Sequence, residues 1–339
     1  MTFCRSSLFS SGVALFLRRY LLKIVQIAVS GGLIFYLITY IDWPRAAELW
    51  QAANKRYLLA AYFLMSSAIA TMAWRWRILL KRLNIVSTFW HLWADHLLGL
   101  FYGIVLPGVI GGDMVRLASC VRRTRQSLPR ITASVFFERA CGLLMVLLMG
   151  LLFAFLLTTP ERVQLGPSLI MTFRIVAVGM LLGAGLTFFT GRHKERWFLE
   201  DRFGVVQRIR ELQARFTRLP KTTLFAILAL SAMSQAIDIL AVYIVSQASH
   251  LAVPGKFFYI IVPMGYLMTL LPVSLGGVGV REGVISFFLI RLGVPASDAV
   301  TMSFLIYLVR MAVAISGGGW QVILNRWAGL YLERFEDRP

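Results

Sequence analysis

The sequence predicts an all-α polytopic membrane protein, with about six full transmembrane helices and two re-entrant helical hairpins in an inverted repeat. Three observations lead there. The 339 residues are 58% hydrophobic and 15% charged, with a mean hydropathy of +0.72, too apolar for a soluble chain of this length. The net charge of +19 comes from Lys and Arg gathered between apolar runs, which fits basic loops beside anionic lipid better than a nucleic-acid surface. Finally, one irregular pattern occurs twice, from Leu106 to Arg116 and from Leu271 to Arg281, 165 positions apart (106 to 271). In both copies Leu-Pro is followed by three residues, Gly-Gly, three more, then Arg.

The elements follow in chain order. Residues 1–20 form a basic tail with Arg5, Arg18 and Arg19. Apolar runs at 22–41, 57–74, 131–157, 168–190, 222–249 and 298–325 approach or exceed the roughly 20 residues a bilayer crossing needs. The apolar stretches leading into the two motifs, 97–110 and 257–271, are shorter and broken by Pro and paired Gly. Such segments read as re-entrant, because a helix loses backbone hydrogen bonds at these residues and only a protein-lined or wet site can satisfy them.

Charge orients the runs. Basic gaps follow the second span (Arg75, Arg77, Lys81, Arg82) and the first motif (Arg122, Arg123, Arg125, Arg130), and 191–221 carries nine Lys/Arg against four acids. The gaps near 42–56, 158–167, 250–256 and 292–297 are weakly charged. With both motifs as hairpins, every basic gap and both termini fall in the cytoplasm. Two units result: 21–160 with its loop at 106–116, and 165–327 with its loop at 271–282, followed by a tail at 328–339. Three crossings per unit invert the second relative to the first. Gly/Pro-broken segments at matching places in two such halves point to a transporter-type binding site between them. No small-residue cleavage site follows the first run, so no signal peptide is expected.

Arg116 and Arg281 begin the second arm of each hairpin, where free N–H groups and the helix dipole favour an anion and a guanidinium fork adds bidentate donors. Gly111, Gly112, Gly276 and Gly277, with Asp113 and Ser274, complete the expected anion or lipid cradle, glycine allowing close backbone approach. Glu138, Arg139, Asp238, Glu282 and Arg310 are further charges in apolar segments, expected to form an intramembrane network. Sequence neighbours point in different directions on a helix, so Glu138-Arg139 and Arg281-Glu282 are expected to seek partners elsewhere. A purely structural network is the competing reading of all of these.

Other patterns are read blandly. His91, Asp95 and His96 could offer metal ligands on one turn, but Trp90 and Trp93 beside them favour an interfacial anchor. Trp74-Arg75-Trp76-Arg77 reads as an aromatic and basic belt at the cytoplasmic face, and 192–218 as an amphipathic helix on anionic lipid or a dock for a partner enzyme. Cys4, Cys120 and Cys141 have neither disulfide nor metal spacing. No metal and no cofactor are expected, and no Lys-Ser/Thr follows the Gly pairs as in a nucleotide-binding loop.

The segments PGVIGGDMVR at 107–116, FERACGLL at 137–144, PVSLGGVGVREG at 272–283 and YLVRMAVAISGG at 307–318 resemble the lysylphosphatidylglycerol synthase transmembrane family, the flippase-like UPF0104 proteins. The resemblance implies a bacterial inner-membrane protein related to the lipid-translocating part of that synthase. No soluble aminoacyl-transfer domain follows residue 330, so synthase activity is not expected. The reading is a non-enzymatic, flippase-like protein that binds and translocates an anionic phospholipid or lipid-linked intermediate. The alternative is a membrane partner presenting lipid to a separate synthase or glycosyltransferase. An intramembrane transferase using Asp113, Glu138 or Glu282 as base is weaker, because no nucleophile or metal set accompanies them. Which lipid is bound, and in what oligomeric state, is not written in the sequence.

Overall fold

Long apolar helices dominate the computed structural model, and no strand occurs among the described residues. Residues 43–105, 111–157, 165–190, 219–270 and 279–336, with Gly32 and Thr39, are described. The expected span 22–41 apart from Gly32 and Thr39, the loop centres 106–110 and 271–278 with Ser274, Gly276 and Gly277, the tail 1–20 and most of the basic loop 191–221 lie outside them.

Ten helices follow in order among the described residues. α1 is Trp43–Ala52, α2 Lys55–Arg82, α3 Phe89–Val105, α4 Gly111–Thr124 and α5 Leu128–Leu156. α6 is Pro167–Thr190, α7 Lys221–Ala248, α8 Phe258–Leu270, α9 Val280–Arg291 and α10 Ala296–Glu336. Four of them are long and apolar enough to cross a membrane: α2, α5, α7 and the Ala296–Gly317 part of α10. α6 contributes a shorter apolar stretch, Pro167–Gly183.

Two features depart from the sequence expectation. The 42–56 gap, to which the sequence assigned no element, holds a helix, α1. α10 runs unbroken for 41 residues to Glu336, through the expected boundary between span and tail at 327. No Pro interrupts it, and Gly317-Gly318-Gly319 lowers helix propensity without removing a hydrogen bond.

Local chemistry sets the helix starts. Asn54 caps α2 by accepting from the Arg56 amide at 3.0 Å. Pro129 sits in the first turn of α5, where its missing N–H costs nothing. At α9, Gly279 holds φ +84°, a backbone angle glycine tolerates best, and the Glu282 carboxylate turns back to accept its N–H at 2.8 Å.

α2 and α7 form the central pair and run antiparallel. The Asn54 N–H donates to the Ala248 carbonyl at one end (3.1 Å), and Arg75 donates to Ser231 at the other (2.7 Å). Around them several pairings occur twice with roles exchanged. α3 packs on α4 as α8 packs on α9, and α4 on α5 as α9 on α10. Across the molecule, α3 meets α10 as α8 meets α5, and α2 meets α10 as α7 meets α5. Two close crossings between the halves obey the same exchange. Gly317 of α10 lies so close to Leu97 of α3 that a Cβ there would collide with it, and a Cβ on Gly150 of α5 would sit 2.9 Å from Pro263 of α8. Small residues at helix crossings let backbones approach, the usual means of tight packing in lipid.

Exposed Leu59, Phe63, Leu152, Phe155, Ile175, Leu182 and Phe225 leave the outer faces apolar, while charges turn inward. This is the inverse of a soluble bundle and suits a hydrocarbon solvent.

Candidate functional site

The first broken hairpin is built on glycine contacts. α4 returns antiparallel along α3, and a Cβ on Gly112 would collide with the Gly99 carbonyl oxygen and lie 3.2 Å from Gly103 Cα. Gly112 therefore faces the other arm. This corrects the expectation that its missing side chain leaves room for a ligand: the backbone it admits is the chain's own.

One turn on, Arg116 enters a cluster centred on Glu138 of α5, which is 2% exposed. The Glu138 carboxylate accepts from Arg75 of α2 at 2.8 Å through Oε1, and Arg116 Nη1 lies 3.1 Å from Oε2. His96 of α3 is 3.2 Å away on the Oε1 side. Arg116 also reaches Asp113 through Nε at 2.9 Å, and Asp113 is in turn paired with the half-exposed Arg139. The Arg116 guanidinium stacks 5.1 Å from the Trp76 ring, whose indole N–H donates to Ser134 at 2.9 Å. Five helices thus converge on one carboxylate and its neighbours: α2, α3, α4 and α5, with α7 supplying Ser231 to Arg75.

Arg75 and His96 are members that sequence reasoning placed elsewhere. Arg75 and Trp76 are buried, so only Trp74 and Arg77 keep the surface role expected of the Trp-Arg repeat, Arg77 lying 5.6 Å from the Trp74 ring. The buried stripe of α2 passes through Leu58, Ala61, Met65, Ala68, Arg75, Trp76 and Leu79 at helical spacing. Extending that stripe past Ala68 would have found both. The interfacial reading of His91, Asp95 and His96 is corrected in the same way, because Asp95 and His96 are buried. Each of the three serves a different partner. His91 bonds Thr88, Asp95 is clamped by Arg123 at 2.5 and 3.2 Å with Ser119 at 2.6 Å, and His96 joins Glu138.

The second hairpin carries a different arrangement. Asp238 of α7 accepts from Arg310 of α10 at 2.9 Å and from the Tyr266 hydroxyl of α8 at 2.8 Å. Arg310 also donates to the Tyr266 oxygen at 3.4 Å. Arg281 lies along α8, its Cγ about where a Gly265 side chain would touch it. It meets Glu282 at 3.4 Å, contrary to the expectation that these neighbours would not pair. The reason is local: Glu282 swings back to the Gly279 amide in the first turn of α9, which brings its other oxygen beside the Arg281 guanidinium. The two hairpin arginines thus differ. Arg116 is locked between two carboxylates, while Arg281 has one at the far limit of hydrogen bonding.

Helices of this length, apolar outside and ion-paired within, define a multi-pass α-helical membrane protein. The chain belongs to the family described as the lysylphosphatidylglycerol synthase transmembrane region, whose model matches residues 23–318. It is 25% identical over 336 residues to a UPF0104 membrane protein of Pyrococcus horikoshii, covering 91% of this chain and 98% of that protein. To a UPF0104 membrane protein of Methanothermobacter thermautotrophicus it is 24% identical over 315 residues, covering 84% and 87%. Both relatives are archaeal, so the family itself does not restrict the chain to a bacterial inner membrane.

Proposed function

We propose that this protein binds the anionic headgroup of a phospholipid or lipid-linked intermediate and moves it between leaflets, with Arg281 as the principal anion ligand. Arg281 carries the proposal. Among the described residues its hydrogen bonds are two to Glu282, both at 3.4 Å, so most of its donor capacity is unspent at the N-terminus of α9. Gly276, Gly277 and Ser274, four to seven residues before it in sequence, would complete the cradle. Arg116, Asp113, Gly111 and Gly112 then serve chiefly to hold the first hairpin. The exchanged pairings around antiparallel α2 and α7 support two inverted units, 21–160 and 165–327, the arrangement that offers one site to either side in turn.

Arg281→Gln is expected to weaken binding to vesicles of anionic lipid by about 10- to 100-fold, the worth of a charge-assisted contact. Arg281→Lys should fall between, because the charge stays while the fork is lost. Thermal unfolding of the same purified variants should change little. Unaltered affinity in Arg281→Gln would remove the ligand role.

The inverted plan has its own test. Single cysteines at 250–256 should label from outside the cell, and those at 191–221 from the cytoplasm, with both termini cytoplasmic. Cytoplasmic labelling at 250–256 would abolish the inversion.

A further inference from the structure

We infer that His96 is a proton-binding site, and that a proton there exchanges the histidine's partner from Arg116 to Glu138. Three distances carry this. His96 Nδ1 is 2.8 Å from the Leu92 carbonyl oxygen, an acceptor only, so Nδ1 carries a hydrogen and donates it. Nε2 of the neutral ring is then a lone pair, and it lies 2.7 Å from Arg116 Nη1, which donates to it. The same Nε2 faces Glu138 Oε1 at 3.2 Å, where lone pair meets carboxylate with no hydrogen between them. The neutral ring satisfies Arg116 and leaves the Glu138 approach unmade.

A proton taken from water by the Nε2 lone pair inverts this. The new Nε2–H donates to Glu138 Oε1, the Arg116 Nη1–H to Nε2 bond breaks, and the positive ring now repels the guanidinium. No bond between heavy atoms changes. Arg116 keeps Glu138 Oε2 and Asp113 Oδ1 but loses its shortest contact.

The surroundings bear on the charged ring from every side. α2 contributes Arg75, which opposes it, and the Trp76 ring, edge to face at 5.3 Å. α4 contributes Arg116 against it and Asp113 in its favour, and α5 contributes Glu138 in its favour and Arg139 at the edge. On α3 itself Asp95 is spent on Arg123. α10 crosses α3 at Gly317 and commits Arg310 to Asp238. The four innermost charges, Arg75, Arg116, Asp113 and Glu138, balance, and half-exposed Arg139 adds one positive charge at the rim. A chain of contacts from half-exposed Arg139 through Asp113 and Arg116 leads inward to the ring.

This site stands on its own geometry and does not depend on whether the chain moves a lipid. The test uses the full chain in lipid nanodiscs, with His91, His193 and His250 changed to Gln so that His96 is the remaining imidazole of four. Nitrogen-15 spectra of labelled histidine and arginine are recorded between about pH 8 and pH 5. The expected result is one protonated and one bare ring nitrogen at the alkaline end and two protonated at the acid end, with an Arg116 side-chain resonance shifting at the same midpoint. A ring that keeps one state throughout overturns the proton site. A ring that titrates while every arginine resonance stays still overturns the exchange of partners.

Discussion

Glu138→Gln should cost this protein about 3–5 kcal/mol of stability, because it leaves Arg75 and Arg116 buried with too little negative charge to balance them. Asp113 can compensate one guanidinium, and it is already shared with Arg139. The loss should appear as a large fall in thermal midpoint of the purified protein, and as poor yield. A second substitution that removes a stranded cation, Arg75→Met, should recover part of it, since a neutral pair of similar volume is far less costly than one uncompensated charge. A Glu138→Gln protein with an unchanged midpoint would show that the cluster is wet in the membrane and contributes nothing to the fold.

Gly112→Ala should be nearly as damaging for a different reason. Its Cβ would meet the Gly99 carbonyl oxygen, a backbone atom that cannot rotate away, so α3 and α4 must separate. Overpacking of this kind costs about 1–3 kcal/mol for small additions, and Gly112→Leu should exceed it. Gly183→Ala is the control, since nothing lies within 4 Å of a Cβ at that position. Equal thermal midpoints for the Gly112 and Gly183 variants would mean that the arms do not touch as described.

How much was legible depended on whether a residue's partner shared its local pattern. Helices α2, α5, α6 and α7 begin and end within a few residues of their apolar runs, apart from the basic end of α2, because burial in lipid needs only composition and length. Glu138 and Arg139 were marked as charges needing partners elsewhere. Arg75 and His96 were missed because adjacent tryptophans suggested an interface, and the hydropathy of a short window says nothing about which face of a helix turns inward. Ring and guanidinium share the inner stripe of their helices with ordinary apolar residues: Leu79 and Met65 on α2, Leu92 and Gly99 on α3. The difference between Arg116 and Arg281 was only partly written in the sequence, which places Asp113 three residues before Arg116 and Val278 three before Arg281. Identical motif positions gave them identical expectations, and the distances to Glu138, Asp113 and Glu282 separate a locked guanidinium from a loosely held one.

The crossing of Leu97 with Gly317 has a consequence for the order in which the molecule is made. α3 leaves the ribosome 220 residues before the glycine that clamps it (97 to 317). The first hairpin, complete at Thr124, then waits for 193 further residues (124 to 317), roughly 10 to 39 seconds at about 5–20 residues per second. During this interval it must persist on its own glycine-to-glycine packing and on the pairing of Asp95 with Arg123, both of which are local and complete once α4 has been synthesised. The Glu138 centre closes next, with α5, and its Ser231 contact later still. Nascent chains halted just short of Gly317 should therefore hold a formed but unclamped first hairpin, more open to protease than the finished protein.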